Sequence, residues 1–234
     1  MKVFQHRGQG LAERLVGTVT RVVTSDAVVA VTFDDGPHPA VTPRLLAILE
    51  AHQARATFFM LGKAAQKYPE LVQHAAAAGH AIGNHSWDHP SFLSISPRER
   101  RRQIVACERA VAPYGCRLFR PPYGHQSLAS RLDAMRMRQR VVTWNIDAGD
   151  WLDVSAGVLV HRLTRAVRPG SIILFHDGRH DAVEDPALNR SVTLRSVSML
   201  LERFGRTYDF VTIPELLRRG RPHRTLWFRG TQGS

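Results

Sequence analysis

The stretch Ala27-Val28-Val29-Ala30-Val31-Thr32-Phe33-Asp34-Asp35-Gly36-Pro37 is an apolar run of strand length that stops on two adjacent carboxylates and a Gly-Pro turn. From Asp26 onward such runs recur, separated by segments of helical period. The strand candidates are residues 27–33, 56–61, 80–84, 118–120, 140–146, 171–175 and 208–212. The helix candidates between them are 42–52, 64–78, 97–111, 127–138, 156–167, 192–204 and 214–219. The helix at Pro97 is well announced, because Ser96 offers an N-cap oxygen, Pro97 takes the first helical position and Glu99 the third. Gly79 is a natural stop for the helix before it. Strand–helix alternation marks β/α units and a parallel sheet. Seven such pairs suit a closed or nearly closed barrel, although patterning alone leaves an open sheet in play.

The bulk properties agree with one large α/β domain. A length of 234 residues does not force a split. Hydrophobic residues at 44% and charged residues at 22% exclude a disordered, fibrous or membrane protein. The net charge of +12 comes from arginine, since only Lys2, Lys63 and Lys67 are lysines. The clusters Arg98, Arg100, Arg101, Arg102 and Arg218, Arg219, Arg221, Arg224 read as solvated helix faces. No aromatic residues interleave with them as a nucleic-acid groove requires, so no nucleic-acid partner is expected. Cys107 and Cys116 lack metal spacing and read as small buried hydrophobes. Charges at Glu13, Arg14, Arg21 and Asp26 interrupt the apolar N-terminal stretch, which is therefore neither a signal-peptide core nor a membrane span. Residues 1–25 read as a lead-in without motifs, 26–217 as the domain that carries the strand–helix pattern and 218–234 as a basic tail.

Five of the strands end in a concentrated polar cluster, and in a parallel barrel all strand ends meet at one rim. Asp34 and Asp35 repel unless a cation or a shared proton offsets them, though Asp-Gly-Pro is also ordinary turn chemistry. In His85-Ser86-Trp87-Asp88-His89, two histidines four apart come together on one side of a helical turn, as in a zinc-binding helix. With Asp35 they supply two imidazoles and a carboxylate, a set that leaves positions open for water and substrate. In Arg120-Pro121-Pro122-Tyr123-Gly124, a rigid backbone can hold Arg120 against a carboxylate and aim the Tyr123 N–H at a developing oxyanion. Trp151, after Asp147-Ala148-Gly149-Asp150, suits a sugar-stacking wall or a core position. His176, at the end of Leu174-Phe175-His176-Asp177, suits a general acid if a carboxylate holds its other ring nitrogen. The other histidines, His38, His52, His74, His80 and His125 among them, have no partner spacing and read as surface or satisfied residues.

Taken in order, Thr32–Pro37, His85–His89, Arg120–Tyr123, Asp147–Trp151 and Leu174–His176 resemble the five motifs of the polysaccharide deacetylase family, also called carbohydrate esterase family four. The resemblance spans Asp26 to Leu217. It implies a distorted (β/α) barrel of about seven to eight strands, and a divalent metal, Zn2+ with Co2+ or Ni2+ as substitutes. It implies Asp34 as base, Asp35, His85 and His89 as metal ligands, and Arg120 as the residue that orients Asp34. It further implies His176 as acid, Asp150 as the group that tunes His176 or buttresses Arg120, and Trp151 and Leu174 as the lining of an acetyl pocket.

The function so implied is removal of N-acetyl groups from an N-acetylglucosamine oligo- or polysaccharide. Rivals that keep the site are an O-acetyl esterase on acetylxylan and an amidase on a small cyclic amide. A rival of another class is a silent module that binds glycan through its basic surface. Without an export signal the expected location is the cytoplasm, or the cell envelope if a leader has been removed.

Overall fold

Along residues 28–34, Val29, Val31 and Phe33 belong to one apolar cluster while Val28 and Ala30 belong to another. This is the two-faced burial of a strand with successive side chains on opposite sides. The computed structural model describes residues 10–227. In chain order it contains α1 (Leu11–Val16), β1 (Thr18–Val23), β2 (Val28–Asp34), α2 (Thr42–Ala51), β3 (Thr57–Met60), α3 (Gly62–Lys67), α4 (Pro69–Ala77) and β4 (Ala81–Asn84). There follow α5 (Pro97–Ala110), β5 (Gly115–Phe119), α6 (Leu128–Arg136), β6 (Arg140–Val141), β7 (Ile146–Asp147), α7 (Ala156–Ala166) and β8 (Ile172–His176). The last elements are α8 (Ser191–Phe204), β9 (Asp209–Phe210), α9 (Ile213–Leu216) and β10 (Arg221–Thr225).

The main sheet runs β6-β5-β4-β3-β2-β8-β7, with β9 beside the start of β2. Every pair in it is parallel. Its two edges, β6 and β7, are consecutive in the chain and do not pair with each other among the described residues, so the expected barrel is a curled sheet open along one seam. Outside the sheet, Leu45 and Leu49 of α2 and Val197, Leu200 and Leu201 of α8 pack on Val29, Val31 and Phe33. The Phe33 ring meets Phe58 at 5.1 Å and Phe175 at 6.0 Å between centroids. Replacing such a buried phenylalanine by alanine costs about 3–5 kcal/mol.

The structure corrects several sequence expectations. The single strand expected over 140–146 is two short ones, because the chain between them turns to β1: Val142 bridges Val19, and Thr143 N–H donates to Val19 O. The helix expected over 64–78 breaks at Tyr68, since Pro69 lacks the N–H a continuing helix needs and opens α4 instead. The lead-in and the basic tail each contain a strand. Within them β1 pairs antiparallel with β10, from Thr18 opposite Thr225 to Val23 opposite Arg221. Of these two segments, only 1–9 and 228–234 lie outside the described residues. Arg100 is not solvated: it is buried, and its Nε and Nη2 lie 2.9 and 2.8 Å from Asp133 Oδ2. Cys107 is buried, but Cys116 is only partly so.

Candidate active site

The inner face of β2 carries Val28, Ala30, Thr32 and Asp34, apolar at the base and polar at the mouth. Arg120, following β5, lies inside the sheet with no exposure. Its Nη1 donates to Asp34 Oδ1 at 2.6 Å and to Thr32 Oγ1 at 2.8 Å, and its Nη2 donates to Thr143 O at 3.0 Å. Its guanidinium carbon stands 4.0 Å from the centroid of the Phe59 ring, so the charge is paired, hydrogen-bonded and stacked, as a buried cation must be. Burial pushes the Asp34 carboxyl up to about 6, against the opposing pull of Arg120 and His176.

Asp35 leaves the strand at φ 73, and Ser86, His89 and Tyr123 have φ of 71, 68 and 57. Such left-handed residues cost of order 1–3 kcal/mol each and persist where the surroundings over-determine them. All four sit in strand-end loops around one mouth. Burial alone would raise Asp35, but His180, His89, His85 and His176 around it hold its carboxyl well below the usual carboxylate range.

His85 and His89 are not on a helical turn, contrary to expectation. They sit in an irregular loop after β4, fixed by side chains: Ser86 N–H donates to Asn84 Oδ1 at 2.9 Å, and His89 N–H to Ser86 Oγ at 3.1 Å. Gln103 on α5 clamps the loop by accepting from Trp87 N and Asp88 N while donating to Asp88 Oδ1. The loop still brings both imidazoles to Asp35, with His85 Nε2 at 3.5 Å and His89 Nε2 at 3.3 Å from Asp35 Oδ1.

His85 Nδ1 lies 2.8 Å from Arg120 O. A carbonyl only accepts, so Nδ1 carries the proton. Burial pushes the His85 imidazole down to about 4, leaving it neutral near pH 7. Its Nε2 then presents a bare lone pair to Asp35 Oδ1 and, at 3.7 Å, to Asp34 Oδ2. Acceptor facing acceptor is repulsive unless a cation lies between them.

On the other side of the mouth, His176 Nδ1 meets Asp150 Oδ1 at 2.9 Å. Asp150 Oδ2 accepts from His176 N–H at 3.0 Å and from the Thr193 hydroxyl at 2.7 Å. Both Asp150 oxygens thus bond to His176 and Thr193, and none of the Arg120 hydrogen bonds goes to Asp150. Burial would lower His176, but Asp150 outweighs it and lifts the imidazole to about 9. Asp34, Asp35, His85, His89, Tyr123 and His176 line one cavity of about 590 Å³. Trp151, 58% exposed, and Leu174, 3% exposed, form part of its wall.

Residues 21–142 match the family model described as polysaccharide deacetylase. The chain belongs to the polysaccharide deacetylase family. It is 37% identical over 169 residues to a chitooligosaccharide deacetylase of Azorhizobium caulinodans, covering 70% of this chain and 80% of that protein. It is 40% identical over 154 residues to a peptidoglycan-N-acetylglucosamine deacetylase of Bacillus cereus, covering 64% of this chain and 56% of that longer protein. The crystal structure of the Bc1960 peptidoglycan N-acetylglucosamine deacetylase is similar at a TM-score of 0.81 and 29% identity, over 90% of this chain and 97% of that one.

Polysaccharide deacetylases of this kind are metal-dependent, and the residues present fit a divalent ion. Asp35 Oδ1 is buried without a hydrogen-bond partner. Near neutral pH Asp35 is ionised while His85 and His89, driven down by burial to about 4 and about 3, are neutral, which is the protonation a ligand set needs.

Several residues of this site escaped the sequence reading. His125, read as a surface or satisfied residue, is satisfied by Ser91 Oγ at 3.1 Å and also lines the cavity. His180 stands beside Asp35 and stacks on His89. Thr193 and Gln103 act from helices far along the chain, where neither carries a motif. His180, four residues past His176, was the one a scan for histidines near motif ends could have found.

Proposed function

We propose that this chain is a metal-dependent hydrolase that removes N-acetyl groups from N-acetylglucosamine oligo- or polysaccharide, of chitooligosaccharide or peptidoglycan type, and releases acetate. The observation that carries the reading is the pairing of two differently tuned groups across one cavity. Asp34 is an ionised carboxylate near neutral pH with a value close to working pH, and His176 is an imidazolium held by Asp150. One accepts a proton and the other gives one, as hydrolysis of an unreactive amide requires.

Asp35, His85 and His89 would hold the ion, and one carboxylate with imidazoles suits Zn2+, with Co2+ or Ni2+ as substitutes. When bound, it supplies Lewis acidity that polarises the acetamide carbonyl and acidifies water. Asp34, aligned by Arg120, takes the proton of the attacking water. The Tyr123 N–H, set by that residue's left-handed backbone, faces the oxygen on which negative charge develops; one such donor is worth about 10²- to 10³-fold in rate. His176, with Nδ1 on Asp150, protonates the departing sugar amine from Nε2 as the carbon–nitrogen bond breaks. Trp151 offers an exposed face for a sugar ring, and Leu174 an apolar wall for the acetyl methyl.

Acetate release from chitooligosaccharides, peptidoglycan and acetylxylan, each with and without chelator, tests the reading. Chelator-sensitive release from the first or second supports it. Release from acetylxylan alone replaces it with an O-acetyl esterase, and glycan binding without any release replaces it with a silent module.

A further inference from the structure

Asp177 follows His176 directly, yet it does not line the cavity and is fully buried. Its N–H donates to Asp34 O at 3.1 Å. Its Oδ2 accepts from the Thr42 hydroxyl at 2.6 Å, and that hydroxyl in turn accepts from His38 N–H at 2.8 Å. Thr42 opens α2, so one buried acid joins the end of β8, the turn after β2 and the start of the next helix. The other oxygen, Oδ1, has no hydrogen-bond partner among the described residues. A buried acceptor left in that state costs about 1–3 kcal/mol, so stability alone does not account for a carboxylate here.

What this carboxylate packs against is Gly36. A Cβ added to Gly36 would collide with both Asp177 oxygens. Gly36 has no positive φ, so the position needs glycine for the room it leaves to Asp177 and not for backbone freedom. Gly178 is as close to the same turn, since a Cβ on it would collide with Asp35 O. β8 and β3 flank β2 in the sheet, and from the β3 side Leu61 N–H donates to Gly36 O at 2.9 Å. Residues 35 and 36 are therefore held between Asp177-Gly178 on one side and Leu61 on the other.

The residue held there is Asp35, at φ 73. Such backbone costs a non-glycine residue of order 1–3 kcal/mol and persists only where the surroundings impose it. Had β2 simply continued, Asp34 and Asp35 would point to opposite faces of the sheet. The left-handed turn brings both into one mouth, with Asp34 Oδ1 on Arg120 and Asp35 Oδ1 at 3.5 and 3.3 Å from Nε2 of His85 and His89.

We propose that Asp177 is a positioning residue for the metal site: acting through Gly36, its side chain holds Asp35 in the turn that presents Oδ1 to His85 and His89. The proposal rests on the metal site of the function proposed above, not on the identity of the glycan. Without the carboxyl group the space beside Gly36 opens, residues 35 and 36 relax towards ordinary backbone angles, and the Asp35 carboxylate withdraws from the two imidazoles.

The test measures metal binding without any glycan. Zn2+ affinity by competition with a chromophoric chelator is compared for the parent, Asp177→Ala and Asp177→Asn, with urea unfolding of the metal-free proteins alongside. Asp177→Ala is expected to lose about 10- to 100-fold in affinity. Asp177→Asn has the same shape and still accepts from Thr42, so it recovers most of that loss. Parental affinity in Asp177→Ala, whatever its urea midpoint, is the mark of a merely structural acid and overturns the proposal. So does an equal loss in Asp177→Asn, which would assign the effect to charge and not to position. Should Asp177→Ala not fold, Thr42→Val decides, because it removes only the donor that fixes Asp177 Oδ2: weakened Zn2+ binding supports the proposal and parental binding overturns it. Parent protein that binds Zn2+ but releases no acetate from any glycan would sink the proposed function and leave this result standing. Parent protein that binds no Zn2+ would sink both.

Discussion

Arg120 Nη1 lies 2.6 Å from Asp34 Oδ1, and both groups are buried. The pair is therefore a device for keeping one carboxylate ionised where water cannot. Arg120→Met is expected to cost about 3–5 kcal/mol in urea unfolding, because it strands a buried charge. Arg120 opposes the rise in the Asp34 value, so its loss lifts that value further and moves the acid limb of the pH–rate profile to higher pH. An unmoved limb in a folded variant would contradict the assignment of Asp34.

Asp34→Asn and His85→Ala should separate base from ligand. Asn keeps the shape and the hydrogen bonds but accepts no proton, so metal content by elemental analysis stays near the parent while turnover falls by about 10²- to 10⁴-fold. His85→Ala loses metal and turnover together. Full activity in either variant removes the assignment.

A bell-shaped dependence on pH is expected of acetate release. Asp34 works as its anion, so activity falls as pH drops through about 6, or lower still when a bound cation stabilises that anion. His176 works as its cation, so activity falls as pH rises through about 9. Asp150 supplies the main upward pull on His176, and Asp150→Asn should shift the basic limb to lower pH. A merely structural role for Asp150 would lower the rate at all pH values and leave the limb in place.

Stability away from the mouth should depend on Asp133. It accepts from buried Arg100 and from Arg101, tying α6 to α5. Asp133→Ala is expected to lower stability by about 3–5 kcal/mol in urea titration with metal content unchanged. A loss within 0.5 kcal/mol would show that Arg100 finds water or another acceptor.

The residues of the site were legible because strand ends force polar side chains onto one rim. Asp34, His85, Arg120 and His176 stand out as abrupt polar stops to apolar runs. The mode of presentation was not legible. The His85–His89 spacing suggests a helix, yet Asn84, Ser86 and Gln103 fold it as a loop, through contacts that no local period encodes. His180 was missed because its position depends on Arg190, ten residues later, closing a loop onto Gly178. β1 and β10 were missed for a similar reason: their main pairing is with each other, across almost the whole chain.

The last described residue gives that pairing a practical meaning. Trp227, two residues beyond β10, donates through Nε1 to Gly124 O at 3.1 Å and packs against Trp144 at 5.4 Å between centroids. Its support thus falls on the turn that presents the Tyr123 N–H. A fragment cut to the span of the five motifs would keep every catalytic side chain and lose the brace behind one of them. A working catalyst from this chain therefore needs at least the span from β1 through Trp227, well past the motifs at both ends.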